Sequence, residues 1–275
     1  MLMPRVLKYF KMKIYINGDS FTAGNGHGDY LIPGYPGLLK SPKSSNPIQK
    51  QWYETRANAL QNDPTLALEV SVEEKTRCWG GVLQNLLRDT EVINRGVGGS
   101  SIDAILDRTL IDLSTIKDVD AVIIQLTVFT RIGFPAQDMS NCHTIHNVLL
   151  GMPPTNPDIH RWIIDNSSDI SLAMRYVKVL ATIKHAVISL TGKPPIIVDA
   201  CSHVANSYIW TVPAVADLIR LLDITDCFPA KCKMSDFNYD GLSHFPCGHY
   251  GPDITNAFAS MIANTYFCTC KKNAP

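Results

Sequence analysis

Several absences limit the classes to which this 275-residue sequence can belong. No stretch approaches the roughly 18 continuous apolar residues of a membrane span, and the N-terminal apolar stretch is too short for the core of a signal peptide. The formal net charge is zero, with 25 basic and 25 acidic residues, and no long block of one sign favours nucleic acid or an anionic membrane as a partner. We therefore expect a cytoplasmic protein without a membrane span.

Motifs for metal and nucleotide binding are missing as well. The eight cysteines lack the paired C-x2-C spacing of a zinc site, and only Cys227 with Cys232 and Cys268 with Cys270 are closely spaced. Reduced thiols are the favoured interpretation, and disulfide pairs stay open as an alternative. No G-x-G-x-x-G pattern is present, which argues against a nucleotide binder.

What the sequence does contain is an alternation of short apolar strands and amphipathic helices. The predicted strands cover residues 14–17, 91–94, 120–126 and 195–200, with a weak fifth near 224–228. Helical spacing of apolar residues is found at residues 79–87, 101–113, 169–190, 212–222 and 252–267. The alternation predicts a parallel, doubly wound α/β sheet with helices on both faces.

Two long stretches interrupt this alternation. Residues 25–76 are polar and rich in proline and glycine, and residues 131–165 are irregular and rich in turns. Because both are longer than ordinary connections, we interpret them as insertions that shape a cleft and set its specificity. We predict a single domain over residues 1–275, with a core of about residues 13–268.

The most informative segment is Gly18-Asp19-Ser20, which follows the first predicted strand directly. A serine at this point places a hydroxyl at the carboxyl edge of the sheet, where open α/β sheets carry reactive groups. A serine is a weak nucleophile unless a base takes its proton. His249 is the candidate base, because it lies on the loop that opens the last predicted helix. Taken singly, both residues also fit ordinary surface turns.

A glycine-rich loop and an acidic residue complete the set of candidates. The loop, residues 96–99, joins a predicted strand to a predicted helix and brings backbone N–H groups close together, which suits an oxyanion or a phosphate. A tight turn alone explains this loop equally well. Asp240, with Asp236 close by, is the candidate acid that would orient the base through a hydrogen bond.

In this order the segments resemble the sequence blocks of the SGNH hydrolases, also called GDSL esterases and lipases. Residues 18–20 are similar to the first block, residues 94–99 to the second and residues 249–252 to the last. The resemblance implies a three-layer α/β/α sandwich with a flavodoxin-like sheet of about five parallel strands. It also implies that Ser20 is the nucleophile and that the backbone N–H groups of Ser20 and Gly99 form the oxyanion hole.

The third block of the family departs from the pattern. The family reads Gly-x-Asn-Asp where this chain has Thr127-Val-Phe129-Thr130, as in divergent viral and phage-like members. The asparagine that would be the third oxyanion donor is therefore absent, and Thr127 or Thr130 can offer a hydroxyl in its place. Losing one such donor typically costs a hundred- to a thousandfold in rate, roughly 3–4 kcal/mol.

The acid also departs from the pattern. The family places it three residues before the histidine, where this chain has Pro246. Asp240 remains the predicted acid, provided that residues 241–248 fold back toward the base. A Ser–His dyad without an acid is an alternative, and His244 is a rival base to His249.

The sequence thus predicts a serine esterase that removes a small acyl group, such as acetate, from a carbohydrate or another small hydroxylated compound. The mechanism proceeds through an acyl-enzyme and needs no metal and no organic cofactor. The alternatives are an O-acyltransferase that uses the same residues and a non-catalytic binding or structural protein of the same fold. A separation of about 3 Å between Ser20 and His249 would favour catalysis.

Overall fold

The computed structural model describes residues 12–39, 47–129, 168–199, 208–227, 232–233, 245 and 249–268, together with the backbone of residues 131–135 and 142–147. In these parts of the chain no helix is both long and apolar enough to cross a membrane. Among the cysteines whose side chains are described, none forms a disulfide: Cys78, Cys227 and Cys232 are buried, and Cys268 is exposed.

A parallel sheet forms the centre of the molecule. The strands are β1 (Met12–Asn17), β2 (Thr90–Asn94), β3 (Ala121–Leu126), β4 (Arg131–Pro135), β5 (Cys142–Asn147), β6 (Ile196–Asp199) and β7 (Cys232–Lys233). Five of them pair in parallel in the order β2-β1-β3-β6-β7, and β4 and β5 form a separate antiparallel pair. With this pair left out, the order is the 2-1-3-4-5 of a flavodoxin-like sheet. The predicted fold class is confirmed.

Helices connect the strands and cover both faces. They are α1 (Ser20–Ala23), α2 (Pro47–Asn62), α3 (Pro64–Arg77), α4 (Trp79–Leu86), α5 (Ile102–Thr115), α6 (Asp169–Thr191), α7 (Pro213–Leu221) and α8 (Pro252–Ile262), which continues through a π-helical turn (Ala263–Phe267). Proline stands in the first turn of α3, α7 and α8, where its missing N–H leaves no intrahelical bond unmade. Helix α6 ends at Gly192, which takes the left-handed conformation that favours glycine, with φ +73°.

The core has two halves, one on each face of the sheet. Tyr15, Val122 and Ile124 pack with α5, α6 and α7. Ile14 and Ile123, from alternate positions of the same strands, pack with α4 and α8. This alternation along each strand explains why helices cover both faces, since each face buries its own set of apolar side chains.

The sequence misplaced the last strand of the sheet. It predicted a strand near residues 224–228, but residues 224–227 form a turn after α7, and β7 lies at residues 232–233. Ile224 and Cys227 are fully or nearly buried in the core, and the Cys227 N–H donates to the Ile224 carbonyl. Their hydrophobicity therefore reflects packing beneath α7 rather than a strand.

The two insertions contain more regular structure than the sequence indicated. The insertion at 131–165 carries the β4–β5 pair, whose register shifts between Arg131 and Ile132 and so interrupts the alternation that marks a strand. The insertion at 25–76 folds mainly as α2 and α3. Asp63 caps α3, because its side chain accepts from the N–H groups of Thr65 and Leu66.

A buried ionic cluster joins the helices of the first insertion to the segment that follows α1. Asp29 is completely buried and accepts from Trp52 Nε1 (2.8 Å) and Arg56 Nε (2.7 Å). Arg56 also pairs with Glu74 at 2.6 Å, and Glu74 accepts from the N–H of Gly26 at 2.9 Å. One guanidinium thus pairs with two carboxylates, and both carboxylates are hydrogen-bonded, as buried charges require.

His27 fastens this insertion to α8. Its Nε2 lies 3.2 Å from Thr255 Oγ1, and its ring packs edge-on against Phe245 at a centroid distance of 4.7 Å. Burial lowers the pKa of His27 to about 4, and the charge of Arg77 adds to the effect. The imidazole is therefore neutral in the folded protein over most of the pH range.

We expect His27 to make the protein sensitive to acid. Below pH 6.5 the unfolded chain binds a proton at this histidine, whereas the folded chain does not until about pH 4, so stability falls as the pH falls through this window. In urea titrations from pH 7 to 4, wild type should lose up to about 3 kcal/mol more unfolding free energy than His27→Gln. His185→Gln, which changes an exposed histidine, is the control. Parallel curves for wild type and His27→Gln would contradict this prediction.

Candidate active site

Ser20 stands where β1 turns into α1, at the carboxyl edge of the sheet. It is 7% exposed, and the Asp19 side chain caps the short helix by accepting from the N–H of Phe21 at 3.1 Å. Gly18 permits the tight turn by close approach: a Cβ there would lie 2.4 Å from Thr22 Oγ1 and 2.7 Å from Gln125 Oε1. The serine is thus held on a rigid turn that packs directly against β3.

The second loop, residues 95–100, is tied to this turn by its backbone. The N–H of Val97 donates to the Gly18 carbonyl at 3.2 Å. Asn94 braces the connection, because its Oδ1 accepts from the N–H of Gly96 (2.9 Å) while its Nδ2 donates to the Thr22 carbonyl (2.7 Å). Asn94 therefore fixes the loop against α1, the helix that begins at Ser20.

Two backbone N–H groups at this edge are open to a ligand. Among the described residues, none accepts a hydrogen bond from the backbone N–H of Ser20 or of Gly99. Gly99 has φ +74°, and a Cβ built on it would meet no atom within 4 Å, so this glycine faces open space. Backbone N–H donors close to a reacting serine are what stabilisation of an oxyanion requires.

The described histidine at this edge is His249, just before α8. Its ring centroid lies 5.0 Å from that of Phe21, the residue next to Ser20, and Phe21 also contacts Tyr250 at 5.3 Å. Within the described residues no hydrogen bond joins the Ser20 hydroxyl to His249. Such contacts are often long in an enzyme without substrate and tighten in the substrate complex.

The loop that carries His249 rests on the first insertion. The N–H of Phe245 donates to the His249 carbonyl at 2.8 Å. The Phe245 ring is buried with Ile32, Trp52 and Val70 in a hydrophobic cluster of the insertion. The insertion therefore supports the backbone of the candidate base, a role that the sequence analysis did not foresee.

The predicted acid Asp240, its neighbour Asp236, the rival base His244 and Thr130 lie outside the described residues.

Thr127 is placed differently from the role predicted for it. It is completely buried, and its Oγ1 lies 3.0 Å from both Asp19 Oδ2 and the Ser100 carbonyl oxygen. Both partners are acceptors, so the single hydroxyl proton is directed at one of them. These contacts do not favour the predicted oxyanion donor. At the position that corresponds to the family's asparagine, the Phe129 ring instead packs on Trp210 at 5.4 Å.

Several buried polar residues at this edge were missed by the sequence analysis. Asn17 and Gln125 are completely buried near the ends of β1 and β3, and Asp199 is 2% exposed at the end of β6. A polar residue that directly ends an apolar strand was the available signal. Arg108, on α5, gave no such signal, because a charged residue on an amphipathic helix usually faces solvent.

We expect Gly18→Ala to destabilise the protein. The new methyl group would overlap the Thr22 and Gln125 side chains, and overpacking of this kind costs about 2–3 kcal/mol. Gly34→Ala is the matched control, because Gly34 has φ +81° and room for a Cβ, so backbone strain of about 1 kcal/mol is its main cost. Urea unfolding of both variants measures the difference. Equal losses would show that the turn relaxes around the methyl group.

Comparison with known proteins yields similarity in structure only. No protein-family model matches the chain, and no curated protein matches it in sequence. Among solved structures, it is similar to a carbohydrate esterase whose active site displays divergent catalytic and non-catalytic binding functions, with a TM-score of 0.50 and 13% identity. The match covers 96% of this chain and 66% of the esterase, so this chain spans slightly less than two thirds of that protein's length.

Two further structures show weaker similarity. One is LAE5, an alpha/beta hydrolase enzyme from the metagenome of Lake Arreo, Spain, with a TM-score of 0.43, 12% identity, and coverage of 97% of this chain and 99% of that one. The other is a member of the lipolytic protein G-D-S-L family from Veillonella parvula, with a TM-score of 0.39, 10% identity, and coverage of 93% and 98%. The carbohydrate esterase, at a TM-score of 0.50 and 13% identity, supports the fold alone.

Proposed function

We propose that this chain, whose fold is that of the SGNH hydrolases, is a serine esterase with Ser20 as nucleophile. The observation that carries the proposal is the pair of backbone N–H groups of Ser20 and Gly99, for which the described residues supply no acceptor, on two loops that are joined at the carboxyl edge of the sheet. In open α/β sheets this edge is where ligands bind. The position of the His249 ring beside Phe21 supports the same assignment.

In the proposed mechanism, His249 takes the hydroxyl proton as Ser20 Oγ attacks the ester carbonyl. The carbonyl oxygen becomes an oxyanion and accepts hydrogen bonds from the two backbone N–H groups. The alcohol leaves with the proton returned by His249, which leaves an acyl group on Ser20. A water molecule, activated by the same histidine, then releases the carboxylic acid. Asp240 is proposed, from the sequence alone, to orient the imidazole.

The proposed substrate is a small acyl ester, acetyl-like, on a carbohydrate. The resemblance in sequence blocks and the structural similarity to a carbohydrate esterase support this class. An O-acyltransferase would use the same residues and differ in excluding water from the acyl-enzyme.

A non-catalytic binding protein is the second candidate. The observation that favours it is Phe129, which stands where the family supplies an asparagine donor. With two donors instead of three, the rate should fall about a hundred- to a thousandfold below that of a three-donor enzyme. A probe that reports an activated serine separates a slow enzyme from a binding protein, because it needs no knowledge of the substrate.

We expect a fluorophosphonate probe to label wild type and to lose this labelling in both Ser20→Ala and His249→Ala. Ser114→Ala and His185→Ala, which change exposed residues on α5 and α6, are the matched controls and should label like wild type. Hydrolysis of p-nitrophenyl acetate should follow the same pattern. Labelling lost in His244→Ala and kept in His249→Ala would identify the rival base. No labelling of folded wild type would contradict the esterase and favour the binding protein.

A further inference from the structure

We propose that Thr127 is a positioning residue whose hydroxyl sets the spacing of the two loops that carry the oxyanion donors. The inference rests on the proposed esterase function. It gives Thr127 a role that differs from the oxyanion donor predicted from the sequence, because it acts on the loops of Ser20 and Gly99 and does not touch the substrate.

The need for such a residue follows from the donors themselves. Both are backbone N–H groups, and a backbone donor is aligned only if its loop is fixed. A side-chain donor can adjust its rotamer, but Phe129 occupies the place of the only such donor in the family's pattern. A displacement of about 1 Å at a reacting group can cost about a hundredfold in rate. The distance between the two loops is therefore a condition for catalysis.

The first loop is held through the Asp19 carboxylate. Its Oδ1 accepts from the N–H of Phe21 at 3.1 Å, which caps α1 and orients the backbone around Ser20. Its Oδ2 lies 3.0 Å from Thr127 Oγ1. The carboxylate is completely buried, so water does not compete for these oxygens. Any shift of Asp19 moves the N–H of the next residue, which is the nucleophile.

The second loop is held through the backbone of Ser100, the residue after Gly99. The Ser100 carbonyl oxygen lies 3.0 Å from the same Thr127 Oγ1, and Ser100 is 1% exposed. Thr127 thus stands between an oxygen of the first loop and an oxygen of the second. Both oxygens are acceptors, so each can receive the hydroxyl proton of Thr127. The hydroxyl donates to one of them at a time and contacts both loops.

Arg108 ties the same two loops at a second point. Its Nη2 donates to Ser100 Oγ at 2.7 Å, and its Nε donates to Asn17 Oδ1 at 3.2 Å. Asn17 Oδ1 also accepts from the N–H of Gly18 at 2.8 Å, so this bridge too reaches the nucleophile's turn. The guanidinium lies on α5 and the threonine at the end of β3. Two independent elements therefore fix one spacing.

The test compares Thr127→Val with Thr127→Ser. Valine keeps the shape and removes the hydroxyl, whereas serine keeps the hydroxyl. We expect Thr127→Val to slow fluorophosphonate labelling and kcat for p-nitrophenyl acetate about 10- to 100-fold, with KM nearly unchanged. Thr127→Ser should restore most of the rate. Thr90→Val, which alters another buried threonine at the amino end of β2, is the control and should label like wild type.

The outcomes separate this inference from the function on which it rests. Unlabelled but folded wild type would overturn the proposed function, and this inference with it. A labelled wild type with an equally fast, folded Thr127→Val would overturn the inference alone, as would a Thr127→Ser variant that is as slow as Thr127→Val. If Thr127→Val does not fold, Thr127→Ala against Thr127→Ser decides: slow labelling confined to the alanine variant supports the inference, and equal rates in both overturn it.

Discussion

The parallel pairing of β1 between β2 and β3 is the constraint on which the rest of this molecule depends. Ile14 of β1 pairs with Val92 on one side and with Ala121 on the other, so the three strands end at one edge. The segments that leave them carry Ser20, Gly99 and Thr127. Residues far apart in sequence therefore meet because their strands share one register, and side chains have only to set the final spacing of the loops.

Burying polar groups at this edge is costly, and the structure offsets the cost by pairing them. Asn17, for example, donates from Nδ2 to the Ile105 carbonyl at 3.0 Å and to Thr109 Oγ1 at 2.9 Å. Gln125 Oε1 accepts from Thr22 Oγ1 at 2.7 Å. A buried polar network that is satisfied in this way rigidifies its surroundings, whereas a half-satisfied one would loosen them. Rigidity is what a pair of backbone donors needs.

The sequence predicted those parts of the fold that local patterns determine. Residues 120–126 form an almost continuous apolar run, and the structure places β3 there, in the centre of the sheet. The long helix at 169–190 and its glycine stop were also predicted to within a residue. Local patterns did not predict the strands that depend on a partner strand. Strand β7 has only two residues and is defined by its pairing with β6, and β4 is defined by its pairing with β5.

The same distinction separates the site residues that the sequence could predict from those that it could not. Ser20 and Gly99 follow from a strand, a turn and glycines, all of which are local features that a sequence displays. The contact of Thr127 with Asp19 is set by strand register, which single-sequence periodicity does not reveal. The predictions for Asp240 and His244 fall outside the described residues and stay predictions.

Phe245 belongs by sequence to the segment that leads into the last helix, but by packing it belongs to the first insertion. The two parts of the chain are therefore structurally coupled, because the Phe245 side chain packs one against the other. Replacing this insertion with that of a structural relative would require replacing the histidine loop at the same time. Substitutions in the insertion should accordingly be correlated with substitutions in the histidine loop.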